Sequence, residues 1–421
     1  MVVKKAVYGL RSAGNSWHIT LSQTIREMGF EPSRSDPDLW MRANTKPNGE
    51  KYWEYVLCYV DDILAISHEP GAIMKDIAKK YDLKEEAKPP ERYLGANIGK
   101  WELPDQRSVW AMSSKDYMTN AVKLVKDILE KRGLALPTGG STKRPMHQDY
   151  RPEIDVSPEL GRQDLALYQQ LVGMLRWGAE LGRLDYLYEL SVLSSHLALP
   201  REGHLEAIFG IFGYIAKHLD STLVFDDFVP QLHMPSFPNT DWSTSVYGDI
   251  EEERPRRMKT PLGKSVQIVC FVDASHAGDK STRRSHTGFI IYLNNAPIDW
   301  YSKRQNTVET STFSSELVAM RTAVERIKAL RIKLMDFGIS IDGPAYVLGD
   351  NESVVKSTSN KEANLNKKHQ AICWHAVREA SAAGWVRIGW EPTQTNTADL
   401  FTKSLSPIKR RTLLQQIFIK C

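Results

Sequence analysis

Four carboxylates in the last third of this 421-residue chain, Asp273, Glu316, Asp350 and Asp399, stand where strands or helices would carry them toward a common centre. Acids drawn from distant segments repel one another unless cations hold them together. The set therefore suggests a two-metal site suited to in-line cleavage of a phosphodiester. Hard oxygen ligands favour Mg²⁺ or Mn²⁺. A second acidic pair, Asp61 and Asp62, lies between two apolar runs in Tyr55 to Ser67 (YVLCYVDDILAIS). Two acids at the tip of an apolar hairpin are costly to bury unless they bind metal or stay solvated. The tip also lacks the Asp-Gly or Asn-Gly of an ordinary tight hairpin.

The elements that must position the first four acids can be read from hydrophobic period. Ser265 to Ser275 (SVQIVCFVDAS) is a buried strand with Asp273 near its end. Thr287 to Leu293 and Ile298 to Ser302 continue it as an antiparallel meander. Ser311 to Phe337 carries Leu317, Met320, Val324, Ile327, Leu330 and Leu334 at helical spacing, with Glu316 in the first or second turn and Gly338 as a stop. Ala345 to Leu348 is a strand that ends just before Asp350. Trp385 to Trp390 alternates as another strand, and Asp399 follows in a helix capped by Thr395 or Asn396.

Three strands, a helix, a strand, a helical stretch, a strand and a helix, with acids in these places, resemble the ribonuclease H fold. The runs CFVDASHAGDKSTRRSHTGFIIYLNNAPIDWYSKRQNTVETSTFSSELVAM, VLGDNES, NKKH and NTADLFTKSL resemble the ribonuclease H domain of copia-type LTR retrotransposon polyproteins. The front of the chain is similar to the reverse transcriptase of the same polyproteins. YVDD resembles its catalytic hairpin, Lys5 to Gly14 and Trp17 its template- and nucleotide-contacting segment, Tyr93-Leu94-Gly95 its primer-holding turn, and YQQLVGMLRW its helical connection.

The resemblance implies Asp273, Glu316, Asp350 and Asp399 as catalytic, metal-binding residues. It implies Asp61 as the direct polymerase metal ligand, with Asp62 beside it. Tyr8 and Gly9, together with the basic Arg283, Arg284, Lys303 and Arg304 and with His369, are expected to contact nucleic acid. The implied substrate is RNA in an RNA–DNA hybrid, read through its 2′-hydroxyls and groove shape. Polymerase chemistry in the family takes a further Asp upstream of the Tyr8-Gly9-Leu10 segment. Only seven residues precede Tyr8, so polymerase activity is expected to be lost. The alternatives are a decayed, non-catalytic or merely nucleic-acid-binding remnant, and a part of a longer active polyprotein.

The expected fold is multidomain, α+β and α/β: a truncated palm and thumb with a helical connection, then a ribonuclease H-like mixed five-stranded sheet with helices. The boundaries read as a palm remnant at 1–105, a thumb-like region and connector at 106–158 and a helical connection at 159–228. A Pro-rich linker at 229–264, the ribonuclease H-like domain at 265–405 and a basic tail helix at 406–421 complete the chain. A net charge of +4, from 55 Lys and Arg against 51 Asp and Glu, is too mild for a dedicated nucleic-acid binder, so local patches must do any binding. Four cysteines without paired spacing indicate neither a zinc motif nor a disulfide framework and fit a reducing compartment. No signal peptide or membrane span is apparent. The expected setting is the cytoplasm or retrotransposon particles, with the nucleus as a further possibility. No membrane partner and no small-molecule cofactor are expected.

Overall fold

The computed structural model describes residues 13–60, 62–83, 88–138, 143–365 and 368–418. The chain divides into two units. One comprises Met1–Leu94, Glu253–Val266 and Ala329–Asp342; the other comprises Gly95–Glu252, Gln267–Lys328 and Gly343–Cys421.

The first unit is built on a four-stranded antiparallel sheet of β1 (Glu31–Pro32), β2 (Leu39–Thr45), β3 (Lys51–Tyr59) and β4 (Asp62–Ile66), in that order. Helices α1 (Ala13–Glu27) and α2 (Pro70–Ala78) supply Leu21, Ile25, Ile73 and Ile77 to a core with Phe30, Trp40, Val56 and Cys58. The alternation of β3 that buries Val56 and Cys58 also buries Glu54. Arg42 pairs with Glu54 at 2.7 Å and Ser67 donates to it at 2.6 Å, so this buried charge is satisfied. The two-residue strand β5 (Arg92–Tyr93) closes the run, and the next two residues, Leu94 and Gly95, both take positive φ.

In the second unit, strands β6 (Ala96–Glu102), β7 (Ser108–Ser113) and β8 (Thr222–Phe225) form antiparallel neighbours. Between them in sequence come α3 (Lys115–Glu130), α4 (Arg162–Glu180), α5 (Leu187–Ser194) and α6 (Glu202–Lys217). These helices pack Met118, Val125, Tyr168, Leu171, Leu175, Ile208 and Phe212 into one apolar cluster.

The strand expected over 265–275 is divided at Gln267. Its backbone N–H bonds to the Asn294 side chain, so β9 (Leu262–Val266) ends before it and β10 (Ile268–Ser275) starts after it. β10 is buried almost throughout and is the middle of a five-stranded sheet. On one side lie β11 (His286–Leu293) and β12 (Ala296–Arg304), antiparallel. On the other lie β14 (Ala345–Gly349) and β15 (Val386–Trp390), parallel. The order β12-β11-β10-β14-β15, with helices α7 (Thr312–Asp336), α8 (Glu352–Ser359) and α9 (Ala371–Ala382) connecting its strands, is the expected ribonuclease H-like mixed sheet. Parallel strands buried on both faces read as near-continuous apolar runs, as β14 does throughout and β10 does up to Asp273. α7 stops at Asp336, and Gly338 two residues on takes φ +68°. β13 (Ile339–Ile341) pairs in parallel with β9 within the first unit.

Two flanking segments of the second unit pack onto this sheet. Phe237 stacks edge-on against Tyr346 and fills the space beside Gly389, where a Cβ would lie 2.4 Å from its ring. Trp242 and Tyr247 stand with Trp374 around the buried Arg378, whose guanidinium also donates to the carbonyls of Ser357, Asn360 and Lys361. Helix α10 (Pro407–Leu414) buries Leu413 and Leu414, and its buried Arg410 pairs with the buried Glu189 of α5 at 3.3 Å. Among the described residues, no helix is long and apolar enough to cross a membrane.

Candidate active site

Register alone places two of the acids side by side. β10 and β14 run parallel with Val272 opposite Gly349. Asp273 and Asp350, one residue on, therefore leave the carboxyl ends of adjacent strands at the same level. Carboxyl ends of parallel strands are where ligands gather in open α/β sheets. The third acid, Glu316, lies in the second turn of α7. It accepts a hydrogen bond from the backbone N–H of Ala274. Ligand oxygens of Asp273, Glu316 and Asp350 lie within 4.8 Å of one another.

The electrostatics follow from that crowding. Burial pushes the Asp273 carboxyl up to about 6, against the pull of the Lys403 ammonium. Burial, with Asp273 and Asp350 close by, holds Glu316 well above the usual carboxylate range. Ionised carboxylates this close and this dry are unstable without a cation. Three hard oxygen donors that converge and repel fit a divalent ion, and this set is the fit the chain offers among its described residues. Thr393 orients Asp350 through a 2.8 Å hydrogen bond.

Asp399 stands apart from this group. It lies in a 3₁₀ turn, Thr397–Phe401, capped by Asn396, whose side chain accepts from the Ala398 N–H. Its fully buried carboxylate is held by two ammonium groups, Lys403 at 2.7 Å on one oxygen and Lys409 on the other. Lys403 also lies 3.3 Å from Asp273. Thr402 donates its hydroxyl to Asp273 and sits over Gly288, the residue opposite Asp273 on β11. A Cβ at Gly288 would come within 2.7 Å of Thr402 and 2.8 Å of Phe401, so only glycine lets this turn approach the strand.

Residues 1–138 match the reverse transcriptase (RNA-dependent DNA polymerase) family. Over 409 residues, 96% of the chain is 25% identical to the retrovirus-related Pol polyprotein from transposon RE1 of Arabidopsis thaliana. The chain belongs to the Pol polyproteins of copia-type retrotransposons. The Pol polyprotein from transposon TNT 1-94 of Nicotiana tabacum is 23% identical over 95% of the chain. The chain spans about a quarter of the length of these polyproteins, 24% and 27% respectively. Among solved structures, an N-terminal RNase H domain from Mycobacterium tuberculosis is covered to 98% at 15% identity, with 36% of this chain aligned and a TM-score of 0.26.

The hairpin expected to carry Asp61 and Asp62 is present as β3 and β4, with Tyr59 paired to Asp62. Asp61 itself lies outside the described residues, as do Tyr8 and Gly9. Val60 takes φ +56°, a real strain for a β-branched residue, and the Trp17 indole holds its carbonyl at 2.7 Å. Strain of this kind is retained where the surroundings over-determine it, and it clusters at functional sites. Asp62 is exposed beside it.

The basic residues are scattered more than the acids. Arg283 and Lys303 are exposed. Arg304 pairs with Asp279, and with Arg284 it lines a cavity of about 50 Å³ that also includes Arg151 and His196. That is room for a water or two, not for a nucleotide. His369 is exposed in the 3₁₀ turn before α9 and is not part of the carboxylate group.

Lys403, Lys409, Thr402, Thr393 and Gly288 escaped the sequence reading. Lys403 left a signal there, because it stands four residues after Asp399, the spacing at which opposite charges meet on a helical turn. The others meet the site through tertiary packing and leave none.

Proposed function

We propose that residues 265–405 hydrolyse phosphodiester bonds in the RNA strand of RNA–DNA hybrids with a divalent ion, Mg²⁺ or Mn²⁺, held by Asp273, Glu316 and Asp350. The observation that carries this reading is the meeting of three carboxylates from β10, α7 and the end of β14, with oxygens within 4.8 Å. When bound, the ion would supply Lewis-acid stabilisation of the phosphate and an activated water. Asp273 is fixed by the Thr402 hydroxyl, Glu316 by the Ala274 N–H and Asp350 by Thr393, so the ligands are preorganised. The exposed Arg283 and Lys303, with Arg284, would attract backbone phosphates, and the 2′-hydroxyls and groove shape of the hybrid would supply selectivity. His369 is assigned a lesser role in handling the substrate. On the same reading, Asp61 and Asp62 would be the metal-binding acids of the reverse transcriptase region.

The test is cleavage of a labelled hybrid by the purified chain in Mg²⁺ or Mn²⁺, beside EDTA and beside Asp350→Asn. Metal-dependent cutting by the parent and none by the variant is the expected result. A folded parent that cuts no better with metal than in EDTA overturns it.

A further inference from the structure

Each oxygen of Asp399 has an ammonium group within ion-pair reach. Lys403 takes one oxygen at 2.7 Å and Lys409 the other, while the carboxylate itself is fully buried. The Lys403 ammonium also lies 3.3 Å from Asp273, so it bridges two acids from different elements, as a second metal ion would. Charge gives the same count. Four ionised carboxylates carry four negative charges and two ammonium groups return two, which leaves a deficit that one divalent ion fills. A second ion would have to displace Lys403 from two carboxylates that are both buried.

We propose that the centre takes a single divalent ion, at Asp273, Glu316 and Asp350, and that Lys403 is its built-in second cation, a positioning residue that ties Asp273 to Asp399. This rests on the proposed metal site and specifies its stoichiometry. The ammonium is a compact point charge on a flexible stem, which suits it to bridge two carboxylates without the geometric demands of Mg²⁺.

Mn²⁺ binding followed by electron paramagnetic resonance tests it on the full chain, comparing the parent with Lys403→Met, Lys403→Ala and Lys403→Arg. Near-ultraviolet circular dichroism reports that each is folded. One bound ion is expected in the parent and in Lys403→Arg. Two are expected in whichever of Lys403→Met and Lys403→Ala is folded. The first ion should bind at least about tenfold more tightly in these variants, because a nearby positive charge is gone. Two ions in the parent overturn the proposal whatever the variants do. One ion in the folded Met or Ala variant also overturns it, and either result leaves the metal site intact. No ion in the parent overturns the metal site itself, and this proposal with it.

Discussion

Replacing Asp273 with Asn should make the metal-free protein more stable. The folded chain holds this carboxyl at about 6, against an ordinary 3.8, because burial penalises its charge more than Lys403 favours it. The difference of about two units, at 1.36 kcal/mol each, is roughly 3 kcal/mol that the ionised group costs the fold at neutral pH. The sign runs in one direction. A raised carboxyl leaves stability intact below the unfolded value near 4 and removes it as pH climbs to about 6, after which the loss is constant. Asn keeps an oxygen for the Thr402 hydroxyl and removes the charge, while Lys403 retains Asp399. In EDTA, denaturation midpoints of parent and Asp273→Asn should coincide near pH 4 and separate in favour of the variant by pH 7 to 8. The expected gap is about 2–3 kcal/mol. Mn²⁺ should then raise the parent at pH 8 and leave the variant nearly unmoved. A variant no more stable than the parent at pH 8 in EDTA would refute the claim that burial makes the ionised Asp273 costly to the fold.

Three other perturbations probe the packing that positions the site. Gly288→Ala drives a Cβ against Thr402 and Phe401; denaturation should show a loss of about 1–3 kcal/mol, and Mn²⁺ affinity should fall because Thr402 and Asp273 move together. Arg410→Met leaves Glu189 buried without its partner and should cost about 3–5 kcal/mol, less at low pH, since burial already raises the Glu189 carboxyl and it can take up a proton; Arg410→Met with Glu189→Leu should recover much of the loss in the same urea titration. Trp242→Ala removes one ring from around Arg378 and should cost about 1–2 kcal/mol while exposing residues 238–250 to limited proteolysis, the cut sites being read by mass spectrometry.

The five-stranded sheet was legible because its signals are local. β10, β11 and β14 are short apolar runs bounded by turn residues, and a run buried on both faces leaves no ambiguity of period. The convergence of Asp273 and Asp350 follows from that reading as soon as the two strands are neighbours, because register then carries both acids to one edge. What sequence could not convey lies in contacts between distant segments. The Pro-rich stretch before the sheet has no hydrophobic period, yet Phe237 fills the space left by Gly389 and Trp242 caps a buried guanidinium. The basic tail helix reads as one that packs on the domain or contacts nucleic acid, with packing favoured, but its partner, Glu189 answering Arg410 from 221 residues away, leaves no local signal.

Asp399 is the sharpest instance of that divide. Its residue type and its place after the last strand were readable, and so was Lys403 four residues later. Its chemistry was not, because an aspartate's role depends on which cation reaches it first. A carboxylate that faces water and other acids waits for a metal ion, whereas one enclosed by two ammonium groups is already neutralised. On the single-ion proposal, Asp399 therefore serves as an anchor rather than a ligand, through side chains supplied by one 3₁₀ turn and one short helix.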